Sequence, residues 1–350
     1  MSLSHPDPVS AGPRWPVRAM AELRVAQFVC ALVLAMATPG CYLSQLAVGQ
    51  LELVNRQRPI ERVVREHSDP RVRVMLSQVP RVKSFARHRM GMSPSPSYRG
   101  YIEVDREGLT TVLLASRAER FEAYTRWYPI AGRVPYRAYF DPEMARREEA
   151  RLRELGYDVF SGPSPAYSTL GWFRDPVTSP MLRSGLTGLI ETILHELTHG
   201  HLYVPGQTDF NEQLASFVAR VGLEQYLRAH GLWTQGIGLR MEARETRRGQ
   251  FARLVKEAIA ELQVLYARNL PRAEVLRRRT PLLAQLSERA AALYPETDPE
   301  RWQFNNARLL QYMRYDPSTE TLEQIWKASG QDWSSFWKLV RRHVREELSS

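Results

Sequence analysis

The spacing of apolar and polar positions divides the chain into a helical beginning, a β-rich middle and a long helical end. In "LSQLAVGQLELVNRQRPIERVVREH" (43–67), Leu46, Gly49, Leu53 and Ile60 recur at helical intervals, and Pro59 is expected to bend or break the run. A second helix is predicted over Pro70–His88, followed by the loop "GMSPSPSYRG" (91–100), where Ser and Pro are spaced as in a linker. Branched and aromatic residues then mark short strands in "YIEVD", "TTVLLAS", "RVPYRAYF" and "YDVFSG". Between the last two lies a helix, "DPEMARREEARLRELG", opened by Pro142 and closed by Gly156. "SPAYSTLGWFRDP" (164–176) is an extended segment bounded by prolines.

From Ser179 the pattern is nearly all helical, with Ser179 as N-cap and Pro180 as first helical residue. Leu186, Leu189, Ile190, Ile193, Leu194 and Leu197 form the buried stripe, and Gly200 is the expected stop. Beyond Leu239, "RNLPRAE", "YPETDPE", "YDPSTE" and "ASGQDW" separate several further helices. The resulting class is α+β, mainly helical, with a small β-sheet and a helical C-terminal region.

The first forty residues read differently. Arg14, Arg18 and Arg24 precede the apolar run "VAQFVCALVLAMA", and "TPGC" follows, ending at Cys41. A basic region, an apolar stretch short for a bilayer and a small-residue cleavage site describe a signal peptide. A cysteine directly after the site predicts a bacterial lipoprotein with lipid on the Cys41 thiol, and Met20 offers a start that gives a more usual signal length. Thr38 and Pro39 depart from the usual lipoprotein box. Tyr42, where an aspartate would retain an enteric lipoprotein at the inner membrane, favours the outer membrane in a Gram-negative cell. Cys30 would leave with the signal, so the mature chain has no disulfide.

Charge changes the picture little. The net charge is +10, carried almost wholly by arginine, with lysine only at 83, 256, 327 and 338. Glutamates interleave with the basic residues at helical spacing, as in "EARETRRGQFARLVKEAIAEL", which describes a solvated helix face. No recognition helix, zinc knuckle or aromatic-basic RNA signature accompanies the charge, and no nucleic-acid partner is expected.

The chemistry is concentrated in "ETILHELTHGHLYVPGQTDFNEQLASF" (191–217). On a helix His195 and His199 stand four residues apart, about 40° around the axis, so both imidazoles can converge on one metal ion. Glu196 lies beside them as general base; this is the HExxH arrangement of zinc peptidases. The site needs a third ligand and an open position for water. The longer histidine form is absent, because Leu202 and Pro205 occupy the places of its glycine and last histidine. Pro205-Gly206 can turn the chain, Asp209 can cap a returning helix, and Glu212 in its first turn would face the ion. A capping box between Asp209 and Glu212 is the competing structural account. Asn211, Glu212 and Ala215 reproduce the N-E-x-x-A pattern of zincins with a glutamate ligand.

Two imidazoles and one carboxylate leave Zn2+ net positive, able to acidify a water for Glu196 to deprotonate. Tyr167 and Tyr203 are candidates to stabilise the oxyanion, and Tyr167 is the one assigned a catalytic role; a packing tyrosine is the alternative for either. His201 reads as a helix-end histidine, and Asp158, Asp175 and Glu191 as capping or surface residues.

"GCYLSQLAVGQLELVNRQRPI", "VPYRAYFD", "AYSTLGWFRDP", "HELTHGHLYV", "DFNEQLASFV" and "FNNARLLQYMRY" together resemble a bacterial family of zinc-dependent aminopeptidase lipoproteins. The resemblance implies a zincin-like fold, zinc held by His195, His199 and Glu212, and catalysis by Glu196. Thr198 and Gly200 stand where alanine and glutamine are expected. The expected organisation is a signal peptide over 1–40, a helical segment and linker over 41–95, a catalytic core over 96–230 and a helical region over 231–350. The implied function is aminopeptidase action on peptides or proteins, from a lipid anchor in the bacterial cell envelope. Endopeptidase action and a non-catalytic lipoprotein scaffold are the alternatives, and "AYSTLGWF" could offer an extended edge for a peptide backbone.

Overall fold

The structure, a computed structural model, describes residues 42–128, 132–164, 175–314 and 320–348. The signal-peptide reading of 1–40, Cys41, Tyr167 and the edge "AYSTLGWF" lie outside the described residues. Helix α1 (Tyr42–Arg56) presents Val48, Leu51 and Val54 as exposed apolar residues. The chain from Arg56 onward forms one compact unit.

Pro59 does interrupt the first helical run. Arg58–Pro59 is a two-residue strand, β1, and α2 (Ile60–Glu66) follows it. Helix α3 (Pro70–His88) has the predicted bounds because Asp69 accepts from the Arg71 N–H at 2.7 Å and Pro70 occupies the first turn, where its missing donor costs nothing. Strand β2 (Gly100–Ile102) lies between β1, antiparallel, and β8 (Val177–Thr178), parallel. Strand β3 (Thr110–Arg117) is the centre of a second, antiparallel sheet. The expected strand "RVPYRAYF" splits at Pro135: β5 (Gly132–Val134) pairs with β4 (Arg126–Tyr128), and β6 (Tyr136–Tyr139) pairs with β3. A proline donates no ladder hydrogen bond, so the run changes partners there. Helix α4 (Pro142–Glu154) follows, and Gly156 at φ +77° turns the chain into β7 (Tyr157–Ser164) on the other side of β3.

The helix expected from Ser179 is broken in two. Thr178 is the N-cap of a single turn, α5 (Ser179–Leu182), and Gly185 at φ +72° starts α6 (Gly185–His201) in a new direction. Ser179 does not cap because its hydroxyl is engaged by the Val104 backbone, accepting from the N–H at 2.8 Å. The remaining helices are α7 (Thr208–Ala229), α8 (Gln235–Tyr266), α9 (Arg272–Leu293), α10 (Asn306–Arg314), α11 (Glu320–Ala328) and α12 (Trp333–His343). Among the described residues the breaks at "RNLPRAE", "YPETDPE" and "ASGQDW" fall where the Pro, Gly and capping residues predict, and the break expected at "YDPSTE" lies at residues 315–319, outside them.

The main core joins α2, α3, α6, α7, α11 and α12 through residues such as Val63, Val79, Ile193, Leu194, Phe217, Phe336 and Val340. Each such side chain contributes about 1.5–3 kcal/mol when fully buried. The predicted stripe of α6 faces this core, with Leu189, Ile190, Ile193 and Leu194 fully buried. Trp337 donates its indole N–H to the Met90 carbonyl at 2.7 Å, tying α12 to the end of α3. A second apolar cluster joins α8, α9 and α10 through Val255, Leu262, Leu286 and Leu309. Asp158 is not a surface residue: its carboxylate takes two Arg279 nitrogens, at 2.5 and 2.9 Å, and caps the start of α10 by accepting the Asn306 N–H at 2.9 Å. The sequence offers no partner within helical reach of Asp158, so only the docking of α9 and α10 on β7 makes the pair.

Candidate metal centre

Helix α6 buries its leucine and isoleucine stripe and turns His195 and His199 to one side. The helix runs through Gly200 to His201, where Leu202 adopts an extended conformation and its N–H reaches the Thr198 carbonyl at 2.9 Å. Gly200 is therefore not the stop. A Cβ built there meets nothing, and the buried Thr198 hydroxyl is satisfied by the Leu194 carbonyl at 2.8 Å. Both departures from the expected pattern fit without loss of a contact.

The chain returns through a tight turn. The Gln207 N–H reaches the Val204 carbonyl at 3.2 Å, across Pro205 and a Gly206 at φ +80°, the conformation that the third position of a type II turn requires. Buried Asn211 holds both polar groups of Val204, accepting from its N–H and donating to its carbonyl, each at 2.8 Å. Helix α7 begins earlier than expected, with Gln207 as N-cap and the Asn211 N–H bonded to the Gln207 carbonyl. Asp209 is thus inside the first turn rather than at the cap, and Glu212 falls in the second. The Glu212 carboxylate faces the histidines instead of closing a capping box.

Three side chains meet here. The Nε2 atoms of His195 and His199 are 3.1 Å apart, and Glu212 places one oxygen 3.2 Å from His195 Nε2 and the other 3.4 Å from His199 Nε2. Four-coordinate zinc holds such atoms at about 2.0–2.2 Å, which sets neighbouring ligands about 3.3–3.5 Å apart. The donor set therefore fits a zinc-sized ion. Among the described residues this is the one group of three or more His, Cys, Asp or Glu with that convergence, its ligand atoms lying within 4.8 Å of one another.

Burial and charge compete at each ligand. Burial works against a charged His195, but the Glu212 hydrogen bond and the charges of Glu196, Glu212 and Glu191 outweigh it and raise its pKa. Burial lowers His199 to about 4, against the pull of Glu212, so its imidazole is neutral at pH 7. Burial would raise Glu212, but the hydrogen bond from His195 and the charges of both histidines lower it. A neutral imidazole and an ionised carboxylate are the protonation states that metal ligation uses.

Glu196 adjoins His195 on the helix but contributes no ligand atom to the group. Its charge reaches Tyr98, a residue the sequence reading passed over inside the Ser/Pro loop. Tyr98 is buried at φ +61°, and its backbone N–H is held by the Asp175 carbonyl at 2.6 Å. Burial, then the charges of Glu196 and Asp175, raise its phenol well above the usual range and keep it neutral. No local sequence signal marks it; a tyrosine in the left-handed region is visible only in the backbone.

The other candidates separate. Tyr203 is exposed beyond the helix end. His201 accepts from the Ser93 N–H at 3.0 Å and packs against Trp337 and Arg341, a structural helix-end role. Glu191 is paired with Arg244 at 2.7 Å. A cleft of about 770 Å3 opens at Glu212 and runs between α7 and α8, with Phe217, Arg220, Phe251, Ile259 and Tyr312 among its walls. That size accommodates a short stretch of peptide.

The family described as "Putative aminopeptidase" matches residues 41–348 of this chain. No curated protein and no solved structure matches it.

Proposed function

The chain belongs to that aminopeptidase family, and from this premise we propose that it is a zinc-dependent peptidase releasing N-terminal residues from peptides. The convergence of His195, His199 and Glu212 carries the reading. Family membership supports peptidase chemistry, and the donor set supports a metal of zinc's size and ligand preference; together they favour a zincin-like arrangement.

When bound, the ion supplies Lewis acidity that polarises a carbonyl and acidifies a water. His195, His199 and Glu212 would hold it, and Asn211 keeps Glu212 in place through its grip on Val204. Glu196 accepts the water's proton and passes it to the departing amine. Burial keeps the Tyr98 phenol protonated, so it adds no second negative charge to the field of Glu196. Tyr167 is the proposed oxyanion donor. The cleft between α7 and α8 receives the peptide on the leaving-group side, since an aminopeptidase substrate has only one residue before the cut bond.

The reading places the enzyme in the bacterial cell envelope, anchored by lipid on Cys41. Incorporation of labelled fatty acid by the wild type but not by Cys41→Ser supports the anchor; equal incorporation by both removes it.

Elemental analysis together with matched peptides tests the enzyme. One zinc per chain, lost in His195→Ala, and cleavage of free but not acetylated N-termini support the proposal. Equal cleavage of both peptides at internal bonds would replace it with an endopeptidase. No metal and no cleavage would leave a binding scaffold on a peptidase fold.

A further inference from the structure

On the other side of α6 from the histidines, Leu197 forms part of a second cavity, of about 280 Å3. Its charged or titratable lining is entirely of the basic type: Lys83, Arg87 and His88 from α3, and Arg99 from the loop before β2. Ser84, Ser93 and Ser95 supply hydroxyls, and no Asp or Glu lines the space. Lys83 and Arg87 are four residues apart on a helix and so project to one side. Arg99 is held in place through its backbone, whose carbonyl accepts from the Ile60 N–H at 3.0 Å.

This gathering costs the fold something. Lys83 is half-buried, and burial followed by the Arg99 charge lowers its pKa to about 8, with Glu61 pulling weakly the other way. Its ammonium donates to the Ser97 carbonyl. The helix C-terminus accounts for Arg87 and His88, because basic groups in a last turn complement the helix dipole. It does not account for bringing Arg99 and a half-buried lysine to the same cavity. Among the described residues neither Arg87 nor Arg99 has a carboxylate partner.

We propose that Lys83, Arg87, His88 and Arg99 form a binding site for a phosphate group. The guanidinium groups offer paired N–H donors in the geometry that phosphate oxygens accept, Lys83 adds a point charge, and Ser84 and Ser95 add hydroxyls on the same lining. The cavity is large enough for a phosphate with a small ester group. Two sources share this chemistry, free phosphate or its monoesters and the headgroup of an anionic lipid. The site lies apart from the metal centre, so its test does not depend on catalysis.

The test is footprinting of Lys83 in the full chain by an amine-acylating reagent at pH 8, read by mass spectrometry. Lys256, Lys327 and Lys338 serve as internal controls. Inorganic phosphate at constant ionic strength, and vesicles of phosphatidylglycerol against phosphatidylcholine, form the two arms. A bound phosphate group shields Lys83 and raises its pKa, and both effects slow acylation. The expected result is protection of Lys83 about fivefold or more, with the controls unchanged, in at least one arm; an anion that restores one pKa unit corresponds to about tenfold in the protonation equilibrium. The Arg87→Gln/Arg99→Gln double variant should lose that protection while keeping its thermal midpoint. Protection by phosphate alone identifies a soluble ligand, and protection by phosphatidylglycerol identifies a lipid headgroup. Lys83 acylation unchanged in both arms, or protection that survives the double variant, overturns the proposal.

Discussion

Asn211 and Val204 are joined by two hydrogen bonds in opposite directions, each 2.8 Å long. The pair closes the turn between α6 and α7 one residue before Glu212, and so decides where that carboxylate points. Asn211 is the asparagine of the N-E-x-x-A pattern, and the clamp gives it a physical role.

Replacing Asn211 by Ala should therefore act at a distance from the chemistry. The buried Val204 N–H loses its partner while the Val204 carbonyl keeps only the Gln207 N–H, which costs about 1–3 kcal/mol. Glu212 would also lose its fixed approach, and weakening of a supporting contact of this kind lowers metal affinity about 10–100-fold. Urea unfolding and competitive zinc titration measure the two effects separately. A variant with wild-type zinc affinity would show that Glu212 is placed by packing alone.

Glu196→Gln and His195→Ala should part company. The first removes a base and no ligand, so zinc stays while kcat falls about 10²–10⁴-fold. The second removes a ligand and loses both metal and activity. Zinc content and peptide turnover on the same preparations decide it; loss of metal in Glu196→Gln would make Glu196 part of the ligand set.

The Asp158–Arg279 pair is largely buried, at 12% and 14% side-chain exposure. Removing one partner leaves the other charge without compensation, and Arg279→Met should cost about 3–5 kcal/mol. The Asp158→Asn/Arg279→Met double variant removes both charges and should recover part of that loss. Denaturant midpoints of the single and double variants form the measurement, and additive losses would contradict the coupling.

Lys83 predicts a pH dependence with a definite sign. Its folded pKa of about 8 lies below the model-peptide value of 10.5, so the unfolded chain binds more protons between those limits. Stability then rises with pH from about 8 toward 10.5, as the penalty for a charged Lys83 is relieved. Proton titration of the reductively methylated protein should show one lysine of the four moving near pH 8, absent in Lys83→Arg. Four overlapping titrations near pH 10 would refute it.

The sequence alone determined the parts whose cause is local. Pro70 after Asp69, and Pro142 with Gly156, bounded α3 and α4 because capping and proline geometry act within a turn. The four-residue spacing of His195 and His199 put two imidazoles on one side because helical geometry fixes that angle. Glu212 was legible as a candidate because a short turn after a helix brings the next helix back alongside it.

Other features waited for the fold. Thr178 became the cap because the Val104 backbone takes the Ser179 hydroxyl, and loop contacts bring Tyr98 within the field of Glu196. Asp158 found Arg279 across 121 residues of chain. Such relationships depend on which surfaces pack together, and no periodicity records that. The basic cavity beneath α6 is of the same kind: Arg99 and Lys83 are ordinary surface residues in the sequence, and only the return of the Ser/Pro loop past α3 brings their charges together.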